Sequence, residues 1–204
     1  MKRFAIDPAD AAAVAVQLGR PLRGHYTVAH RCPCGLPDVV ETAPRLDDGT
    51  PFPTLYYLTC PRASAAAGRL EASGVMTAMT ARLATDEALR RAYHAAHRDY
   101  LARRDEAALA CGVEPLPPGT QSAGGMPSRV KCLHALMAHE LAVPGANPLG
   151  REAADLAGEW WSAGSCVPQP EPDPASEAAS DPAAGRADDS ARGGRAPNEA
   201  GRNA

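Results

Sequence analysis

The apolar positions of this chain follow two different rhythms, and the change falls near Cys60. Upstream, β-branched and aromatic residues gather in short runs separated by Pro, Gly and Asp. That pattern predicts strands over 26–31, 39–46 and 52–59, the last containing Leu55-Tyr56-Tyr57-Leu58 and closed by Pro61. Asp47-Asp48-Gly49 is a hairpin signal, because Asp and Gly accept the left-handed backbone that tight turns require. Ahead of the strands, 7–18 reads as a short helix with Asp7 as cap, Pro8 at its first position and Gly19 past its end. Ala11, Val14 and Leu18 form its apolar face.

Downstream of Cys60 the apolar residues recur every three or four positions, the helical period. Helices are expected over 64–72, closed by Gly74, and over 76–83. Thr85 caps a long third helix, with Asp86 and Glu87 in its first turn and Gly112 beyond its end. After a Pro- and Gly-rich loop over 114–125, Pro127 opens a helix running to about Ala142, and Asn147 caps one that reaches Trp160 and Trp161.

Three strands joined by short turns make an antiparallel meander, in which the first and third run the same way. Cys32 ends the first, Cys34 lies in the next turn and Cys60 ends the third, so all three thiols fall at one edge of the sheet. The fold class is α+β: a three-stranded antiparallel meander, then a helical body, then a disordered C-terminal tail. The expected divisions are 1–24 (helix and connector), 25–162 (α+β domain with a thiol cluster) and 163–204 (tail). From Pro168 onward the chain has no Val, Leu, Ile, Met or aromatic residue, so nothing there offsets the entropy of ordering.

Charge narrows the function classes. The chain has 21 basic and 24 acidic residues, and seven of the acids but only four arginines follow Pro168. Residues 1–167 are therefore close to neutral, which argues against nucleic acid as a partner. No run approaches the ~18 apolar residues of a membrane span. The apolar stretch 11–16 behind Met1-Lys2-Arg3 is short and is preceded by Asp7, Pro8 and Asp10, unlike a signal peptide. The expected setting is cytoplasmic, where six cysteines are reduced and are free, reactive or metal-bound.

Zinc is the cofactor that this donor set suits. Cys32 and Cys34 supply two thiolates from one turn, Cys60 a third and Cys132 a fourth, with His134 as the alternative ligand. Two other readings stay open. The thiols are small apolar side chains that pack in a core, or one of them is a nucleophile. Cys60, at a helix start beside Arg62, and Cys34 are the candidates for a thiol-dependent enzyme acting on an anionic small molecule. Arg31, Arg62, Arg129 and Lys131 are the candidate anion-binding residues, the last two behind Gly124-Gly125. That loop also reads as a plain flexible connection. Cys111 and Cys166 carry no assignment. His139 lies about 10.5 Å along a helix from Cys132, too far to share an ion, and is expected to find its own hydrogen bond. His94 and His97 could hold a metal as a pair, but Tyr93, His97 and Tyr100 more simply form one face of the long helix.

Three runs carry a resemblance: Arg31-Cys32-Pro33-Cys34-Gly35-Leu36-Pro37; Asp48-Gly49-Thr50-Pro51-Phe52-Pro53-Thr54-Leu55-Tyr56-Tyr57-Leu58-Thr59-Cys60-Pro61; and Ser122-Ala123-Gly124-Gly125-Met126-Pro127-Ser128-Arg129-Val130-Lys131-Cys132-Leu133-His134. Together they resemble DUF501, a family of uncharacterised, mostly actinobacterial proteins, over about residues 8–160. The resemblance implies no activity, cofactor or catalytic residue. The leading expectation is a binding or structural domain that takes a protein partner or a small anion.

Overall fold

A computed structural model of the chain describes residues 4–167. The expected disordered tail lies, from residue 168 on, outside the described residues. Residues 163–167, assigned to the tail from the sequence, are described and pack on the domain through Gly164 and Cys166.

Helix α1 (Pro8–Leu18) is bounded as its residues dictate. The Asp7 carboxylate accepts from the Ala9 N–H, and Gly19 closes the helix in the left-handed conformation. Strands β1 (Tyr26–Arg31), β2 (Pro37–Thr42) and β3 (Tyr56–Leu58) form an antiparallel sheet in the order β1-β2-β3. β2 is central and buried along its whole length. It pairs Val28 with Val40 on one side and Val39 with Leu58 on the other. Between β1 and β2 the Cys32 N–H donates to Leu36 O and the Gly35 N–H to Cys32 O, closing the tight turn that carries both thiols.

Both later strands are shorter than expected. Pro44, Pro51 and Pro53 lack N–H donors, so the ladder cannot run through 43–55. It survives there as the isolated bridge Arg45↔Pro51 and bonds such as Thr42 N–H to Leu55 O.

The helical body comprises α2 (Pro61–Ala72), α3 (Val75–Thr85), α4 (Glu87–Cys111), α5 (Leu133–Ala142) and α6 (Pro148–Ala157). The cap of α4 is Asp86 rather than Thr85, its carboxylate accepting from the Leu89 N–H at 2.9 Å. The helix expected from Pro127 begins only at Leu133. The Lys131 N–H bonds Gly124 O and the Val130 N–H bonds the Thr80 hydroxyl, so these donors are already used in a loop. α6 stops at Ala157, short of both tryptophans.

The core lies between β3, α4, α5 and α6. Leu55, Tyr93, Tyr100, Met79, Leu136, Met137 and Leu149 are fully buried. Tyr100 fixes the strand edge by accepting the Leu55 N–H at 2.6 Å. The loop before α5 is held by Arg104, whose guanidinium donates to Thr120 O and Gln121 O. α5 and α6 approach so closely that a Cβ at Gly150 would lie 2.1 Å from Leu136 O. Among the described residues no helix is long and apolar enough to cross a membrane.

Candidate functional sites

The sheet edge gathers four thiols from three parts of the chain. Cys32 and Cys34 come from the β1–β2 turn, Cys60 caps α2, and Cys166 comes from the segment after α6. The Cys34 and Cys166 Sγ atoms are 4.0 Å apart. Cys32 contacts Cys34, and Cys166 contacts Cys60. Cys32 and Cys60 are 2% and 0% exposed, whereas Cys34 and Cys166 are half-buried. Gln17 on α1 ties in the last segment, donating to Pro37 O at 2.6 Å and to Cys166 Sγ at 3.4 Å.

Electrostatics separate these thiols. Burial pushes Cys32 up to about 12, and Cys166 likewise to about 12. Burial alone would also raise Cys34. Donors from the Leu36 and Cys166 backbone and from the neighbouring thiols outweigh it and hold Cys34 below its ordinary value. Of Cys32, Cys34 and Cys166, Cys34 is thus the thiol most readily deprotonated.

Two basic residues predicted to bind anions hold this cluster in place instead. Arg31 forms a two-pronged pair with Asp10 of α1, at 2.8 and 2.6 Å, and also donates to Gly35 O. Arg62 donates to Gly164 O at 2.8 Å. Nearby, His30 Nδ1 lies 2.7 Å from Oδ1 of the fully buried Asp38. That hydrogen bond raises the imidazole's pKa against the opposing effect of burial. Asp38 Oδ2, Gln17 Oε1 and Thr59 Oγ1 are buried with no hydrogen-bond partner among the described residues.

Cys132 does not join the other three predicted thiols. Cys132 caps α5, at the start of that helix as expected, beside its expected substitute, His134. Glu71, at the C-terminal end of α2, completes this second group. Its Oε1 accepts from the Leu133 N–H at 2.6 Å and lies 3.0 Å from His134 Nδ1. The carboxylate therefore occupies the N-terminus of α5. One ligand atom each from Glu71, Cys132 and His134 lies within 4.8 Å of the others, so the trio could hold a metal ion. Hydrogen bonds to Cys132 and Glu71 raise His134 to about 9, more than offsetting its burial. Cys132 and His134 line a cleft of about 440 Å³.

The remaining candidates lie apart from the two thiol groups. Arg129 is exposed and lines a different cleft with His97, Gly125 and Ser128, while Lys131 is exposed. His97 is hydrogen-bonded to the Ser122 hydroxyl at 2.8 Å, and Tyr93 and Tyr100 are buried, as the amphipathic reading requires. His139 finds its own partners, Asp99 at 3.0 Å and Asn147 at 3.4 Å, and stacks on Tyr56. Sequence reasoning missed Cys166 and Glu71. The one signal for Cys166 was Trp160, Trp161 and Val167 around it, the last large apolar residues of the chain. Glu71 carried none.

A family model described as a protein of unknown function (DUF501) matches residues 28–155. No curated protein and no solved structure matches the chain.

Proposed function

The chain belongs to the DUF501 family, and because that description assigns no activity we propose a role from geometry: a binding or structural domain whose Cys32, Cys34, Cys60 and Cys166 hold one zinc ion. The observation that carries this reading is the 4.0 Å approach of Cys34 and Cys166, with Cys32 and Cys60 in contact with one or other of them. Thiolates around a tetrahedral zinc, each about 2.3 Å from the ion, lie about 3.8 Å apart. The four sulfurs form a chain of neighbours, Cys32 to Cys34 to Cys166 to Cys60, and the ion would draw the two ends inward to complete a tetrahedron. Four soft ligands and no open position describe a structural zinc site rather than a catalytic one. The ion would tie the sheet edge, the start of α2 and the segment after α6 together. Metal binding would release the thiol protons, because the ligands are thiolates.

The alternative, a thiol-dependent enzyme with an anionic substrate, is less well supported. Cys60 is fully buried, and Arg31 and Arg62 are engaged by Asp10 and Gly164. A protein partner, rather than nucleic acid or a membrane, is the expected ligand of the domain surface, given its near-neutral charge. The test is metal analysis of full-length protein purified without chelator, beside the Cys34→Ser/Cys166→Ser variant. One zinc per chain should be lost in the variant. Equal zinc in both proteins would refute the assignment.

A further inference from the structure

The geometry points to a second and different metal site: Glu71, Cys132 and His134 as three ligands of a zinc-class ion whose remaining coordination position faces the adjoining cleft and takes a small oxyanion. It stands on residues that the four-thiol site does not use.

Three observations support it. The first is donor chemistry: one thiolate, one imidazole and one carboxylate are all ligands that zinc and cobalt accept. The second is placement. Zinc ligands about 2.0–2.1 Å from the ion stand about 3.3 Å apart in a tetrahedron. The 3.0 Å between His134 Nδ1 and Glu71 Oε1 is close to that spacing, and one ligand atom from each of Glu71, Cys132 and His134 lies within 4.8 Å of the others. The Leu133 N–H bond holds the Glu71 carboxylate in place, so the site joins two rigid elements, the end of α2 and the start of α5. The third is access. All three ligands are half-buried, and Cys132 and His134 open onto the cleft with Thr54, Tyr57 and Ser64 also on its wall.

Three protein ligands beside a cavity is the arrangement in which zinc keeps a place for water or substrate, whereas four thiolates leave none. Thr54, Tyr57 and Ser64 line this cleft and carry hydroxyls able to donate to an oxygen-rich ligand, and the metal would supply the positive charge. A small carboxylate or phosphate matches both.

Cobalt(II) is the probe, because its visible spectrum reports sulfur count and geometry. Metal-free Cys34→Ser/Cys166→Ser protein, which retains only the second site, should bind one cobalt with a weak single-thiolate charge-transfer band. Inorganic phosphate should shift the cobalt d–d bands. His134→Ala or Cys132→Ser on that background should abolish the spectrum. If the double variant does not fold, native protein loaded with cobalt is compared with Cys132→Ser. One of two equivalents should disappear while the intense four-thiolate bands remain. No cobalt binding that depends on Cys132 and His134 would overturn the site. Binding that phosphate and acetate both leave unperturbed would overturn the open position.

Discussion

Cys34 and Cys166 meet across 132 positions of sequence, their sulfur atoms 4.0 Å apart. The contact joins the β1–β2 turn to the segment beyond α6, and Arg62 and Gln17 hold that segment in register through Gly164 and Cys166. The C-terminal boundary of the folded unit therefore lies past Cys166, not at 162.

Two truncations test that boundary. Removing 168–204 is expected to leave the melting temperature within about 1 °C, because none of the described contacts is lost. Removing 163–204 deletes Cys166 and the Gly164 acceptor, and is expected to lower it by about 5 °C or more, as loss of ~2 kcal/mol does in a domain of this size. Differential scanning calorimetry of the two proteins decides the matter. Equal melting temperatures would place the boundary back at 162.

The α5–α6 contact predicts a sharp response at one glycine. A methyl group at Gly150 would meet Leu136 O at 2.1 Å, and backbone cannot yield as a side chain does. Gly150→Ala is expected to destabilise by about 3 kcal/mol, although alanine is the better helix former. Denaturant unfolding at equilibrium would measure the loss.

Much of the fold was legible in the sequence. The first strand and the caps of α1 follow from Tyr26–Arg31, Asp7 and Gly19, and the meander alone sufficed to bring Cys32, Cys34 and Cys60 to one edge. The rest depended on partners far along the chain. α5 starts at Leu133 rather than Pro127 because Thr80 and Gly124 capture intervening N–H groups, and the Leu133 N–H at that start meets Glu71, which no local pattern placed there. Cys166 follows the last helix with no periodicity to place it. Its position is set by Gln17 and Arg62 contacts that no local pattern encodes.

Acid sensitivity should trace to His139. Burial holds its pKa below the ordinary 6.5, although Asp99 pulls the other way. The groups facing it are Asp99, Tyr100 and Arg103 on α4, Tyr56 on β3, Glu140 on its own helix, and Asn147. The unfolded chain takes up this proton first, so the stability that a neutral His139 provides is present above pH 6.5 and is lost as pH falls below it. Each unit of pKa displacement corresponds to about 1.4 kcal/mol. His30 and His134, both raised, contribute in the opposite sense and lose their share as pH rises. The difference between native protein and His139→Phe over pH 5–6.5 isolates the effect, and the variant's melting temperature should vary less. Parallel pH profiles would contradict it.

Glu71 has a structural role that is separable from metal. It caps α5 through the Leu133 N–H and pairs with His134. In metal-free protein Glu71→Ala is expected to cost about 1–2 kcal/mol, the usual range for a lost helix cap. Glu71→Gln, which keeps an acceptor oxygen, should recover part of it. Thermal unfolding in the presence of chelator would measure both.

The central claim is the four-thiol zinc site, and zinc counting by mass spectrometry on full-length protein tests it most directly. The native chain is expected to lose one zinc on Cys34→Ser/Cys166→Ser and to keep that zinc on Cys132→Ser. A native protein without zinc, or a double variant that holds as much zinc as the native chain, would contradict it.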